Sequence, residues 1–486
     1  MQTFELPPYA PTLIESTRAI GYSLEAAVAD IIDNSIAADA NHVDLFFFPV
    51  DGEYIAILDN GSGMNANELN SAMQYGSKSP NEVRKSNDLG RFGLGLKTAS
   101  LSQCRKLTVV TKQGQNIMAR CWDVDFVAST GKWTLLILDE EEINNLPHIT
   151  DLKQYENGTL VLWQHLDRLK AGEINFEQSL GRKIDLVRSH LSLVFHRYLT
   201  GEPGIKKLSI SINNTAVEPA DPFLSKKSNQ PMDDETLIVR GEKISVRPYI
   251  LPHISKMSSE EICALGGKDG LRRQQGFYIY RNKRLLVWGT WFRMMRQAET
   301  SKLVRIRVDI PNALDDLWTL DIKKSSAIPP AEVRMNLKSV VDKLADTSKK
   351  TWTFRGKRET DDSIVHVWNR LRTRNGGFIY EINRDHPLVQ ECFNQDAETE
   401  RKVNILLSQI EENLPLNSLF LDLTNDEKIE NDKDLDYREV IKMMHQILET
   451  TDASLHEAVV DTLICSEPFV SYSSEIKKAF EEGNLP

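Results

Sequence analysis

The chain has 486 residues, with 59 Lys+Arg against 70 Asp+Glu and a net charge of −11. Its 41% apolar and 27% charged residues exclude a globally disordered chain, and its length fits two or three domains. No apolar run reaches the ~18–20 residues that cross a bilayer, and the N-terminal MQTFELPPYAPTLIEST lacks the basic start and apolar stretch of a signal peptide. Five scattered cysteines without a CxxC pair argue against a disulfide framework or structural zinc. The expectation is a cytoplasmic protein with no membrane partner.

In chain order, 12–20 and 22–40 read as helices, the second carrying apolar residues at helical spacing. HVDLFFF (42–48) and EYIAILD (53–59) read as strands joined at Asp51-Gly52. A glycine-punctuated stretch from Asp59 to Ala99 follows, with a polar segment at 76–90. Strands are expected at 106–112, 116–122, 133–138 and 159–164, the last preceded by Asn157-Gly158, and helix 178–199 ends at the TGEPG breaker. Residues 205–350 form a second α/β domain with strands at 207–213, 236–250, 275–287 and 303–310 and a helix at 331–349. Residues 351–486 are mainly helical by period, with an exposed acidic loop at 424–437.

Charge is uneven. Residues 391–486 hold 22 acids and 8 bases, which leaves the first 390 residues at +3. Residues 268–307 hold eleven bases and two acids, interleaved with Phe277, Tyr278, Tyr280, Trp288, Trp291 and Phe292. The stretch Lys268 to Arg307 is therefore a candidate DNA contact, bases on phosphate and aromatics on unpaired bases. The plainer alternative puts the aromatics in a sheet core.

Four segments carry chemistry. On helix 22–40, Asp30 and Asn34 stand four apart on one face, while Asp33 is rotated ~100° from Asn34. A carboxylate there can deprotonate a water, and an amide oxygen can ligate a hard cation such as Mg²⁺. Alone, such a pair is more often a plain polar face. Asp59-Asn60-Gly61-Ser62-Gly63-Met64 follows a strand. Its glycines let backbone approach a ligand, and its carboxylate can accept from an exocyclic amine; a tight hairpin turn is the alternative. Gly90-Arg91-Phe92-Gly93-Leu94-Gly95-Leu96-Lys97-Thr98 leads into an apolar helix. It misses the Walker A pattern, with Leu96 at the lysine position, yet glycine-rich backbone entering a helix aims N–H groups at an anion, and Lys97 adds charge. Gly158-Thr159 opens a late strand.

Taken together and in this order, these motifs resemble the GHKL ATPase superfamily over residues 20–165. The resemblance implies an N-terminal Bergerat two-layer α/β sandwich with a mixed sheet (1–204) that binds ATP with Mg²⁺. By carry-over, Asn34 is the metal ligand, Asp59 takes the adenine amino group, and Gly61, Gly63 and Met64 shape the base pocket. Arg91, Phe92, Gly93, Leu94, Gly95, Lys97 and Thr98 wrap the phosphates, and Thr159 supports the base. Asp30 stands where the family has a glutamate general base. One methylene shorter, it predicts slow turnover, since ~1 Å of misplacement costs on the order of 10²-fold. Glu25, on roughly the opposite helix face, is no substitute.

IYRNKRLL (279–286) and LWTLDIKKSSAIPP (317–330) are similar to the transducer of MORC-type ATPases, especially the prokaryotic MORC-like branch. That implies a transducer-like domain at 205–350 whose Lys324, with Lys323 the alternative, reaches the γ-phosphate. It also implies a homodimer that closes on ATP around DNA, in a multi-protein anti-phage defence system, with protein partners on the C-terminal region 351–486. The competing expectation is a nucleotide-switched scaffold that barely hydrolyses.

Overall fold

The computed structural model describes residues 4–341 apart from 5, 7, 20, 51, 77–94, 231–232, 267–269, 299–300, 316 and 319–328. It also describes residues 365–485 apart from 373–377, 394–396, 417, 420–435 and 452. The chain divides into two compact units, Met1–Trp352 and Thr353–Pro486.

The first unit opens with helices α1 (Ala10–Arg18) and α2 (Leu24–Ala37). Helix α2 starts after Ser23, an extended residue at the N-cap position, and carries Glu25 in its first turn, where the positive helix end favours an acid. Strands β1 (His42–Phe48), β2 (Tyr54–Asp59), β3 (Lys106–Gln113), β4 (Asn116–Asp123), β5 (Leu136–Ile137), β6 (Asn157–Gln164), β7 (Ser209–Ile212) and β8 (Thr215–Ala216) form one sheet in the order β5-β4-β3-β6-β2-β1-β7-β8. Helices α3 (Ala66–Met73), α4 (Gly95–Leu101), α5 (Val124–Thr130), α6 (Glu140–Asn144), α7 (Ile149–Gln154), α8 (Asp167–Lys170), α9 (Phe176–Val194) and α10 (His196–Thr200) complete this part.

The sheet is mixed: β1 and β7 run parallel, and the other neighbours are antiparallel. One face buries Val43, Leu45, Ile55, Ile57, Val109 and Val161 with Val28 and Ile32 of α2 and Val187 and Leu191 of α9. The other face buries Ala56, Leu58, Val110, Leu160 and Leu162 under Ile143, Ile149 and Leu152. Covered on both sides, β2 and β6 read as continuous apolar runs while β1 alternates. This is the expected α/β sandwich with a mixed sheet.

Several expected elements differ, and the single strands expected at 236–250 and 275–287 are each an antiparallel pair, Glu235–Val239 with Glu242–Ile250 and Gly276–Arg281 with Arg284–Thr290. The strand expected at 207–213 in the second domain lies in the first sheet, where Ser209–Ile212 pairs with His42–Leu45. The strand expected at 159–164 starts two residues earlier, at Asn157, and the one expected at 133–138 shrinks to Leu136–Ile137. At Gly158 a Cβ would come within 2.4 Å of the Asp59 carbonyl oxygen, so the glycine is there for close strand approach.

A second sheet follows: β9 (Glu235–Val239), β10 (Glu242–Ile250), β11 (Gly276–Arg281), β12 (Arg284–Thr290) and β13 (Val304–Ile310), in the order β12-β11-β13-β10-β9. Ile244, Val246, Phe277, Ile279, Ile306 and Val308 pack against Val333, Leu337 and Val340 of a helix at 331–341. Tyr278, Tyr280, Phe277 and Trp291 are buried, so these aromatics are core rather than stacking platforms. The β11–β12 hairpin turns at Asn282-Lys283, both at positive φ (48° and 67°), the geometry of a two-residue type I′ turn.

That hairpin meets the end of α9 and α10 through polar contacts. Tyr198 Oη donates to the Asn282 carbonyl at 2.6 Å, Arg197 pairs with Glu202 and Asp309, and Lys283 lies 3.2 Å from Glu202. His196 Nε2 sits 2.7 Å from Tyr280 Oη. Burial, with Arg197 nearby, pushes the buried His196 down to about 4, so the folded protein holds it neutral. The unfolded chain titrates near 6.5, so below that pH it binds more protons and stability falls until about pH 4. Urea midpoints at pH 7.5 and 5.0 are expected to show the wild type losing about 2 kcal/mol more than His196→Gln.

In the second unit, strands β14 (Trp368–Arg372) and β15 (Phe378–Ile382) form a hairpin. Helices Tyr437–Thr450, His456–Leu463 and Ser473–Glu481 bury Val440, Met444, Leu448, Leu463 and Ile476. The region is mainly helical, as expected, with that hairpin added; most of the acidic loop at 424–437 lies outside the described residues. No described helix is long and apolar enough to cross a membrane.

Candidate nucleotide site

Helix α2 directs four successive polar side chains to different places. Asp30 is buried and accepts from Tyr22 Oη at 3.1 Å. A Cβ on Gly95, the first residue of α4, would lie 3.9 Å from Asp30 Oδ2, so the start of α4 stands beside this carboxylate. Asn34, one turn on, is exposed. Ser35 Oγ donates to Asp59 Oδ2 at 2.7 Å, and Asp33 points the other way, into the second sheet. A shielded acid and an exposed amide thus share one helix face, the arrangement the spacing predicts.

Asp59 closes β2 opposite Thr159 of β6. Gly61 N–H donates to Asp59 Oδ1 at 2.9 Å, which folds the chain into a turn. Burial pushes the Asp59 carboxyl above its ordinary value, opposed by hydrogen bonds from Ser35, the Gly61 N–H and the Thr159 backbone. The turn is not a hairpin: it leaves the sheet for α3, whose Asn65 N-cap and Glu68 form a capping box. It is wedged tightly. A Cβ at Gly61 would lie 2.9 Å from Ala38, and one at Gly63 (φ +65°) 2.1 Å from the Lys112 carbonyl oxygen. Met64 N–H donates to Thr111 Oγ1 at 2.7 Å, which fixes the exit of the turn on β3.

Lys97 departs from expectation. It is 1% exposed, and its Nζ donates to the carbonyls of Ala72 (2.9 Å) and Gln74 (2.8 Å) at the negative end of α3. Its charge ties α4 to α3. Thr98 is buried beside it. Arg91, Phe92, Gly93 and Leu94, the polar segment from 77, and both Lys323 and Lys324 lie outside the described residues. Sequence reading missed Tyr22, Ser35 and Thr111. Of these, Ser35 carried a signal as the hydroxyl next to Asn34 in the polar run Asp33-Asn34-Ser35.

Part of the basic stretch is internal. Arg281 is buried in a fork on Asp315 (2.7, 3.0 and 2.7 Å), Arg284 is buried on Asp33, and Arg307 lies 3.2 Å from Asp309. Lys302 and Arg305 are buried too. Among the described residues of 268–307, the exposed bases are Arg272, Arg273, Arg293 and Arg296.

The residues present fit a Mg–adenine nucleotide: Asn34 offers an exposed amide oxygen, the donor type a hard cation takes, and Asp59 a buried carboxylate able to accept from an amine. Residues 22–159 match the family described as histidine kinase-, DNA gyrase B- and HSP90-like ATPases, and this part of the chain is a GHKL-type ATPase domain. The chain is 34% identical over 100 residues to ATPase MORC2B of Mus musculus (20% of this chain, 10% of that protein). It is 32% identical over 95 residues to ATPase morc-1 of Caenorhabditis elegans (19% and 11%) and 31% over 94 residues to ATPase MORC2 of Homo sapiens (18% and 9%). The match spans about a tenth of the length of these relatives. The domain is MORC-like.

Proposed function

We propose that the chain binds ATP with Mg²⁺ and hydrolyses it slowly. The observation that carries this reading is α2 itself, which sets buried Asp30 and exposed Asn34 one turn apart while Ser35 grips Asp59. Asn34 would hold Mg²⁺ through its amide oxygen, and the ion would supply positive charge to offset that on the transferred phosphoryl. Asp30 orients and deprotonates the attacking water. Asp59 accepts the adenine amino group, backed by Thr159, and Gly61, Gly63 and Met64 form the wall of the base pocket. Residues 91–95 and Thr98 cover the phosphates, and Lys324 or Lys323 supplies a cation from the transducer-like domain.

In this reading 1–204, extended by β7, is the ATPase domain, 205–350 the transducer-like domain and 351–486 the partner-binding region. ATP closes two copies of this prokaryotic-type chain around DNA in an anti-phage system. Arg272, Arg273, Arg293 and Arg296 form the DNA-facing patch; the Gln297 amide, 3.4 Å from the Arg273 carbonyl, holds the two pairs near each other. Light scattering on the full chain is expected to give a doubled mass with a non-hydrolysable ATP analogue and Mg²⁺. A monomer with and without the analogue overturns the gating. The scaffold reading draws on the short Asp30 carboxylate and requires wild-type turnover equal to that of Asp30→Ala.

A further inference from the structure

Asp33 and Arg284 are 251 residues apart in sequence and meet inside the protein. Arg284 Nε lies 3.2 Å from Asp33 Oδ2 and 3.3 Å from Oδ1, with the side chains 5% and 1% exposed. The guanidinium also donates from one terminal nitrogen to the Leu285 carbonyl (2.9 Å) and lies 5.9 Å from the Phe195 ring centre. Asp33 is on α2, immediately before Asn34 and three residues after Asp30. Arg284 is the first residue of β12, directly after the Asn282-Lys283 turn.

Two side chains therefore fix how α2 is rotated about its axis. Ser35 is bound to Asp59 on one side and Asp33 to Arg284 on another. Side-chain tips ride about 5–6 Å from a helix axis, so a rotation of about 10° moves them by about 1 Å. That is the scale at which misplacement of a reacting group costs on the order of 10²-fold. The Asp33 contact is also longer than the ~2.7–2.9 Å of a closed charge-assisted bond and uses one donor. Nearby, Arg281 at the end of β11 and Asp315, in the segment after β13, form a shorter fork at 2.7, 3.0 and 2.7 Å. The link across to α2 is the looser of the two.

We propose that Asp33 and Arg284 are positioning residues that couple the rotation of α2, and so the placement of Asp30 and Asn34, to the β11–β12 hairpin. The inference rests on the nucleotide reading. The pair holds the helix in register for hydrolysis and carries nucleotide-dependent movement of α2 to the second sheet. It contributes little to ATP affinity, because Asp59 and its turn bind through Ser35 instead.

The test uses the full chain as wild type, Asp33→Asn, Arg284→Met, the double variant and Arg284→Lys. Either neutralising single variant strands a buried charge or its partner and melts lower, whereas the double variant removes both charges and recovers most of the melting temperature. ATP Kd is expected to stay within about threefold in the double variant while kcat falls about tenfold or more. Arg284→Lys, which keeps the charge, regains part of that kcat. Hydrogen exchange of residues 276–290 is expected to respond to ATP in the wild type and to lose that response in the double variant. A double variant that recovers kcat together with melting temperature, or that keeps the exchange response, overturns the coupling. Wild-type protein that binds no ATP overturns the nucleotide reading instead; in that case faster exchange of 24–37 in the double variant supports the α2–β12 link, and unchanged exchange overturns it.

Discussion

Asp30→Ala is expected to lower kcat for ATP hydrolysis by about 10²–10⁴-fold, the usual contribution of a positioned general base. The carboxylate is buried against Tyr22 Oη and the start of α4, so it is held in one orientation. Asn34 shares its face but is exposed; on the proposed reading this separates two roles, the amide oxygen for a hydrated cation and the acid for a water beside α4. Alanine removes the proton acceptor and leaves Ser35 on Asp59 untouched, so ATP Kd should change by less than about threefold. Steady-state hydrolysis together with equilibrium binding checks this. Equal losses of kcat and affinity would place Asp30 in a structural role.

Asp59→Ala is expected to weaken ATP binding by about 10- to 100-fold, in line with a charged hydrogen bond of about 1.5–3 kcal/mol. The variant removes what is, on the proposed reading, the acceptor for the adenine amine, and it strands the Ser35 hydroxyl and the Gly61 N–H, both of which donate to Asp59. The turn that shapes the base pocket loses its anchor at the same point. Selectivity should follow the same chemistry. GTP sets a carbonyl oxygen against the carboxylate and should bind the wild type far more weakly than ATP, a difference that shrinks in Asp59→Ala. A competition titration of ATP with GTP on both proteins measures it.

What the sequence made legible was local. The apolar spacing of α2 and the strands at 42–48 and 53–59 each follow from backbone geometry, and each stands where it was expected. Asp30 and Asn34 fall on one face because four residues nearly complete a helical turn. The illegible part was long-range. Nothing local to Ser209–Ile212 says that it pairs with β1 rather than with the sheet that follows it. Lys97 sits in a phosphate-like motif, but its direction depends on where α3 ends, and the carbonyls of Ala72 and Gln74 claim it. The basic run 268–307 suggests an open charged track, yet Arg281 and Arg284 answer acids at 315 and 33. Charge counts along a chain carry no information about such partners until the fold brings them together.

The central claim is that an adenine nucleotide with Mg²⁺ binds between α2 and the turn after Asp59. Titration calorimetry of ATP into the folded wild-type chain with Mg²⁺ tests it most directly. One saturable site per chain, with GTP giving little heat, is the predicted result. No heat from ATP or ADP, or ATP and GTP bound equally well, would contradict it.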